Sequence, residues 1–167
     1  MSSGDAKHCF LGEFEHAIDS QRRVAIPSEW RLKEGDGRFV LLPARGGSLQ
    51  LMPFEEFDNS ILSKARRLSL ASEKDMKDLA ELGSRAQICE CDKQGRVQIS
   101  QKLAAYAGLK DKAAMIGSLS YIQIWTPEAR AKSLGGDEDR FFDVFERMNK
   151  TADDLSDALR GALGGLK

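Results

Sequence analysis

Stretches in which apolar and polar residues alternate recur along the chain as far as residue 125. A period of two is typical of strands that bury one face. Two of the stretches are followed by glycine-containing pairs, Gly46-Gly47 and Gly117-Ser118, which mark hairpin turns. The pattern predicts eight short strands, at 14–18, 23–26, 39–42, 49–52, 85–91, 96–99, 113–116 and 121–125.

Helical segments are predicted between these strands. Ser72 and Ser100 suit helix N-caps, because a serine hydroxyl accepts a hydrogen bond from a backbone N–H of the first turn. Gly35 and Gly108 suit helix ends, where glycine adopts a left-handed conformation. The predicted helices are 28–33, 54–67, 73–82 and 101–107.

A heptad pattern marks the C-terminal part of the chain, after a linker or helix break at Gly135-Gly136. Alternating spacings of four and three residues predict an amphipathic helix with one apolar seam. Two interpretations stay open: the helix packs on its own domain, or it docks on a neighbouring subunit. The seam residues are Phe141, Phe145, Met148, Ala152, Leu155, Leu159, Ala162 and Leu166.

The strand pattern contains an internal repeat. Residues 19–27 read Asp-Ser-Gln-Arg-Arg-Val-Ala-Ile-Pro, and residues 92–100 read Asp-Lys-Gln-Gly-Arg-Val-Gln-Ile-Ser, an offset of 73 residues. With the same offset Gly35 matches Gly108 and Gln50 matches Gln123. A register kept over this length indicates two copies of one β-β-α-β-β unit.

The repeat predicts the fold class. Four short strands do not bury a core alone, so two copies that exchange hairpins are expected to close a small barrel and remove exposed edges. The prediction is a mainly β protein with flanking helices (α+β), built as a pseudo-twofold swapped-hairpin β-barrel. The predicted domains are a first repeat at 10–83 with a helical insert at 54–83, a second repeat at 84–134, and the C-terminal amphipathic helix at 137–167.

Each copy places an aspartate four residues before an arginine, next to a predicted tight turn. The Asp side chain can close the turn by accepting from the backbone N–H two residues on, and it can also brace the following guanidinium. A planar guanidinium can bind phosphate or guanine through two hydrogen bonds, although an Asp–Arg pair on a hairpin is also compatible with a simple surface ion pair. The candidate DNA-binding residues are Arg22, Arg23, Lys93 and Arg96, with Asp19 and Asp92 as the turn-bracing residues.

The composition restricts the DNA-binding hypothesis, and it argues against a membrane span and a secretory signal. Among 167 residues, 25 are Lys or Arg and 26 are Asp or Glu, so a nucleic-acid site has to be a local patch. The apolar runs are too short for a membrane span, and the first eight residues have no apolar segment typical of a secretory signal.

The sequence offers little evidence for an enzyme active site or a metal site. The three cysteines and two histidines fit no standard zinc spacing, and no glycine-rich phosphate loop is present. The odd number of thiols is typical of a reducing cytosol, and Cys89 and Cys91 are expected to share a strand face as small hydrophobic residues. We therefore expect no catalytic activity, no cofactor, no metal and no small-molecule substrate.

The repeated motif resembles the MraZ family, bacterial regulators with two AbrB-like swapped-hairpin repeats. The resemblance rests on Phe10-Leu11-Gly12-Glu13-Phe14 and on the two segments 19–27 and 92–99, and it extends to about Phe145. It implies a cytoplasmic, nucleoid-associated transcription factor that binds double-stranded DNA at short direct repeats upstream of the division and cell-wall gene cluster. It also implies a ring-shaped homo-oligomer, and it assigns the family's motif arginines to Arg23 and Arg96 and the motif aspartates to Asp19 and Asp92.

The sequence departs from the family pattern at both turns. Gln21-Arg22 stands where the family usually has Lys-Gly, and Ser100 stands where the second copy usually ends in Pro. The alternative function is a protein-interaction module, because the same fold serves antitoxins that capture a partner through a tail, and the C-terminal helix at 137–167 is a candidate for such a tail.

Overall fold

The computed structural model describes residues 8–33, 37–133 and 138–165, and the chain divides into two compact units after Ser133. Three of the predicted features, the helix end at Gly35, the break at Gly135-Gly136 and the last seam residue Leu166, lie outside the described residues. In the described part of the chain no helix is both long enough and apolar enough to cross a membrane.

All eight predicted strands are present, with shifts at their ends. Alternating residues form them because their apolar side chains fill one core while the polar ones face outward. The strands are β1 (Glu13–Ala17), β2 (Arg23–Ala25), β3 (Arg38–Ala44), β4 (Ser48–Pro53), β5 (Gln87–Glu90), β6 (Arg96–Gln98), β7 (Lys112–Ser118) and β8 (Tyr121–Trp125).

The helices are more numerous than the pattern predicted. A 3-10 turn covers Ser28–Trp30, and a π-helical turn, Asp58–Leu62, joins the first two α-helices. The α-helices are α1 (Phe54–Phe57), α2 (Ser63–Ala65), α3 (Glu73–Arg85), α4 (Gln101–Ala107), α5 (Pro127–Ser133) and α6 (Glu138–Gly164).

Both serine caps are confirmed. The hydroxyl of Ser72 accepts from Asp75 N at 3.2 Å, and that of Ser100 accepts from Leu103 N at 3.3 Å. Gly108 ends α4 with a left-handed φ of 64°.

Two predicted boundaries are wrong. The helix expected at 28–33 is a single 3-10 turn, because Arg31 already has extended backbone with ψ of 136°. The turn expected at Gly117-Ser118 comes later, since both residues still belong to β7 and Leu119 adopts the positive φ of 66°.

The strands form two antiparallel assemblies. Six of them make one sheet in the order β1-β7-β8-β4-β3-β5, and β2 pairs with β6 in a separate two-stranded ladder. We call this ladder the ribbon. The described ladders do not join β5 back to β1, so the closed barrel stays a prediction.

Strands of the two copies interleave. The first strand of each copy pairs with the third strand of the other, as β1 with β7 and β5 with β3. Equivalent residues face each other where the copies meet: Val24 opposite Val97 in the ribbon and Gln50 opposite Gln123 between β4 and β8.

The core lies between the ribbon, the six-stranded sheet and α4. Each ribbon strand sends one valine inward and is followed by a buried isoleucine, so Val24, Ile26, Val97 and Ile99 are all 0% exposed. Leu103, Ala104 and Ala107 cover the core from α4. The ribbon is thereby fixed by its apolar face, while its other face is available to solvent.

Candidate nucleic-acid interface

The first turn is organised by the carboxylate of Asp19. Its Oδ1 accepts from the backbone N–H groups of Gln21 and Arg23, both at 2.9 Å. Its Oδ2 accepts from Nε of Arg23 at 2.7 Å. The same side chain therefore closes the turn and orients the arginine.

The second turn repeats this geometry. Oδ1 of Asp92 accepts from the backbone N–H groups of Gln94 and Arg96 at 2.9 Å, and Oδ2 accepts from Nε of Arg96 at 2.8 Å. Because each aspartate engages Nε, the terminal nitrogens of the guanidinium lie beyond that bond and carry further donors.

These contacts lower the pKa values of both aspartates. The hydrogen bond from the Arg23 backbone is the main reason that the pKa of Asp19 lies below its ordinary value. The backbone N–H of Arg96 has the same effect on the pKa of Asp92. Hydrogen bonds to the ionised form stabilise it, so both turns hold a carboxylate anion at neutral pH.

The ribbon brings the two motif arginines together. Arg23 lies opposite Gln98 and Arg96 lies opposite Ala25, so these four residues share the face turned away from the buried valines. We call this the arginine face. Nη1 of Arg96 lies 3.6 Å from Oδ2 of Asp19, which ties the two copies together, and the side chains of Arg23 and Arg96 are 32% and 27% exposed.

The other two candidate cations lie beside this face in different environments. Lys93 is exposed on the second turn. Arg22 is half-buried and adopts a positive φ of 58°, as Gly95 does at the equivalent place in the second turn. Its Nε donates to the carbonyl oxygen of Ile99 at 3.0 Å, so Arg22 holds the two copies together as well as contributing charge.

Two residues of this region were missed by the sequence analysis. Gln98 lies on the arginine face, and its Nε2 donates to the carbonyl oxygen of Gln21 at 3.0 Å; the alternation from Arg96 to Gln98 was the available signal. Arg31, from outside the motif, packs against Gly95 of the second turn, and its Nε donates to the carbonyl oxygen of Ile26 at 3.1 Å. No sequence pattern pointed to Arg31.

The other candidate chemistries are a metal site and a reactive cysteine. Within residues 8–33, 37–133 and 138–165, no group of three or more His, Cys, Asp and Glu side chains is arranged to hold a metal ion. Cys89 is buried and Cys91 is half-buried against the core, as small hydrophobic residues would be. Burial raises the pKa of Cys89 to about 12, so this thiol is not a nucleophile at neutral pH.

The region of the second copy matches a known protein family. A family model described as "MraZ protein, putative antitoxin-like" matches residues 82–151. The match includes Asp92 and Arg96, together with the first part of α6.

Individual relatives extend the similarity to most of the chain. A protein of Thermomicrobium roseum is 35% identical over 119 residues, which cover 71% of this chain and 82% of the relative. A protein of Clostridium beijerinckii is 33% identical over 141 residues, covering 84% and 96% respectively. A protein of Halothermothrix orenii is 31% identical over 146 residues, covering 87% and 98%. Each of the three is named "Transcriptional regulator MraZ".

Proposed function

The chain belongs to the MraZ family, and on that premise we propose that it is a sequence-specific DNA-binding regulator of transcription. Its proposed target is a set of short direct repeats upstream of the division and cell-wall gene cluster. A regulator of this kind acts by binding, so the proposal gives no residue a catalytic role.

The observation that carries the proposal is the arginine face. A two-stranded antiparallel ribbon fits the major groove of B-DNA, where arginine recognises guanine through O6 and N7. Arg23 and Arg96 stand on one solvent face of such a ribbon, each oriented by its own aspartate. Preorganised guanidinium groups lose less conformational freedom on binding than free ones.

Charge in this region favours the same function. The four candidate cations and the two turn aspartates leave a net of +2 on a chain whose total charge is -1. Patches of this kind attract the phosphate backbone without a basic protein surface overall.

The architecture that we propose is the pseudo-twofold swapped-hairpin barrel. It is supported by the exchange of strands between copies and by the pairing of residues 73 positions apart, Val24 with Val97 and Gln50 with Gln123. A twofold axis between the copies requires such pairs, because it maps each partner onto the other.

We further propose that the protein assembles into a ring and works in the cytoplasm on the nucleoid. Apolar side chains exposed outside the C-terminal helix include Met76 and Leu82 on α3, and a subunit contact would cover them. Several protomers on one ring would meet successive DNA repeats at high effective concentration. A repeat spacing near one helical turn, about 10 bp, keeps the repeats on one side of the duplex.

The test is a selection of bound fragments from the organism's own DNA, followed by binding measurements with variants. Arg96→Ala is expected to weaken binding to a selected fragment by about 1–3 kcal/mol for each base that the arginine recognises. Arg66→Ala removes the same charge from a site where it pairs with Asp58, and serves as the matched control. A folded Arg23→Ala/Arg96→Ala double variant with unchanged affinity would contradict the proposal.

A second candidate function is protein interaction through α6. Eight large apolar side chains in the described part of this helix are exposed, which supports a role in binding a partner protein or another subunit. They are Phe141, Phe142, Val144, Phe145, Met148, Leu155, Leu159 and Leu163.

A further inference from the structure

The two turns differ at their fourth residue, where one carries an arginine and the other a glycine. Arg22 and Gly95 are separated by the repeat offset of 73, and both have a left-handed φ, 58° and 74°. In the first copy the Arg22 side chain crosses to the other copy and donates to the carbonyl oxygen of Ile99. Gly95 has no side chain that can make the equivalent contact.

Arg31 occupies the space that Gly95 leaves open. A Cβ placed on Gly95 would overlap Nε and Cζ of Arg31 and would lie 2.7 Å from its Nη2. The guanidinium therefore lies directly against the backbone of the second turn, at the residue that precedes Arg96.

The hydrogen bond of Arg31 matches that of Arg22. Nε of Arg31 donates to the carbonyl oxygen of Ile26 at 3.1 Å, and Ile26 is separated from Ile99 by the same 73 residues. The backbone around each contact is also equivalent, since Ile26 N donates to Gly95 O and Ile99 N donates to Arg22 O, both at 2.9 Å. Two arginines from unrelated positions thus make the same contact at equivalent places.

From this equivalence we infer that Arg31 is a phosphate-binding residue of the DNA interface and the counterpart of Arg22 in the second copy. This inference rests on the proposed function. Arg31 is an exposed residue. Its Nε donates to a neutral carbonyl oxygen, so this hydrogen bond does not neutralise the positive charge of the guanidinium. With Arg31 included, five cations and two aspartates leave a net of +3 at the two turns.

Phosphate is the expected ligand because of where Arg31 lies. The arginine face occupies the solvent side of β2 and β6, whereas Arg31 follows the 3-10 turn and approaches Gly95 at the end of the ribbon. When a ribbon enters the major groove, its sides face the strands that border the groove. A cation at that place binds backbone phosphate and does not distinguish one base from another.

The experiment compares Arg31→Ala with wild type on two probes, a selected genomic fragment and a random-sequence duplex of equal length. A phosphate contact predicts several-fold weaker binding to both probes by a similar factor. Between about 50 and 200 mM salt, the slope of log K against log salt should become shallower by about 0.9, the value for one phosphate neutralised. Arg31→Lys retains the charge and should retain most of the affinity, and Arg66→Ala should leave both probes and the slope unchanged.

The outcomes separate this inference from the proposed function. If folded Arg31→Ala has wild-type affinity and slope while Arg96→Ala binds the selected fragment more weakly, Arg31 only supports the turn and the inference is overturned. A loss of affinity confined to the selected fragment would also overturn it, because that result means base recognition. If the Arg23→Ala/Arg96→Ala variant binds normally as well, the proposed function itself fails. A comparison of circular dichroism spectra and urea midpoints establishes that each variant is folded.

Discussion

At the residue scale, the two turns place different residues, Arg22 and Gly95, in the same left-handed conformation. A left-handed conformation costs a non-glycine residue about 1–2 kcal/mol, and Arg22 adopts it while its side chain binds Ile99 O. Gly95 adopts it without strain, and the space above it is filled by Arg31. The second turn therefore depends on glycine for two reasons, conformation and close approach.

Substitution at Gly95 separates those two reasons. Gly95→Ala should destabilise the fold by more than about 1–2 kcal/mol, since alanine incurs left-handed strain of that size and its Cβ would also displace Arg31. In an Arg31→Ala background the collision is absent, and the same substitution should cost less. Urea unfolding of the four proteins in this double-mutant cycle measures the difference; equal costs in both backgrounds would place the Arg31 side chain elsewhere.

The two turn aspartates make stability depend on pH. Their folded-state pKa values lie below the ordinary value of 3.8, so the unfolded chain takes up protons at a higher pH than the folded chain. Their contribution is fully present above about pH 4 and is lost as pH falls through the lower, folded-state pKa values. The urea midpoint of wild type should therefore fall more steeply below about pH 4 than that of an Asp19→Asn/Asp92→Asn variant. Parallel pH profiles would contradict this assignment.

At the element scale, the ribbon is a short ladder that depends on the core beneath it. It has three paired positions in each strand, and the central pair is Val24 with Val97. Such a short ladder is not stable alone in water. Burial of its apolar face against the sheet and α4 is what holds Arg23 and Arg96 in place.

Isoleucine substitutions measure how far the ribbon depends on burial. Ile99 is 0% exposed at the end of β6, so Ile99→Ala should destabilise the protein by about 2–5 kcal/mol through reduced burial and a cavity. Ile88 on β5 is 56% exposed, and the same truncation there should cost under about 0.5 kcal/mol. Chemical denaturation of both variants tests the comparison, and similar costs at the two sites would contradict the burial argument.

At the scale of the whole molecule, binding is expected to depend on the number of protomers. One protomer of net charge -1 offers a small cationic face, so strong binding would come from several faces on adjacent repeats. The C-terminal unit is the segment whose role in assembly is most directly testable, since α6 exposes its apolar side chains.

Removal of residues 134–167 distinguishes the roles of α6. If the helix only captures a partner, the truncated chain should keep both its mass in solution and its affinity for a multi-repeat fragment. If the helix assembles the ring, light scattering should show a smaller particle, and affinity should fall for several repeats but hardly change for one. Loss of binding to single and multiple repeats alike would contradict both roles.

Most elements and the candidate site followed from local sequence. Alternation predicted all eight strands, the duplicated segments 19–27 and 92–100 predicted matching turns, and two serines predicted helix caps, because strand pleat, turn closure and capping depend on near neighbours. The helix α5 was missed and the 28–33 helix was overestimated. Such short elements depend on surrounding contacts more than on intrinsic preference.

The sequence by itself determined the repeat, the strands, the turn chemistry and the pair of arginines that bear the proposed function. Tertiary structure alone decided that Arg23 and Arg96 share one face, that Arg22 crosses to Ile99, and that Arg31 fills the space above Gly95. The reason is physical: each of these contacts joins residues of different copies, and their geometry follows from the register between strands that only long-range packing fixes.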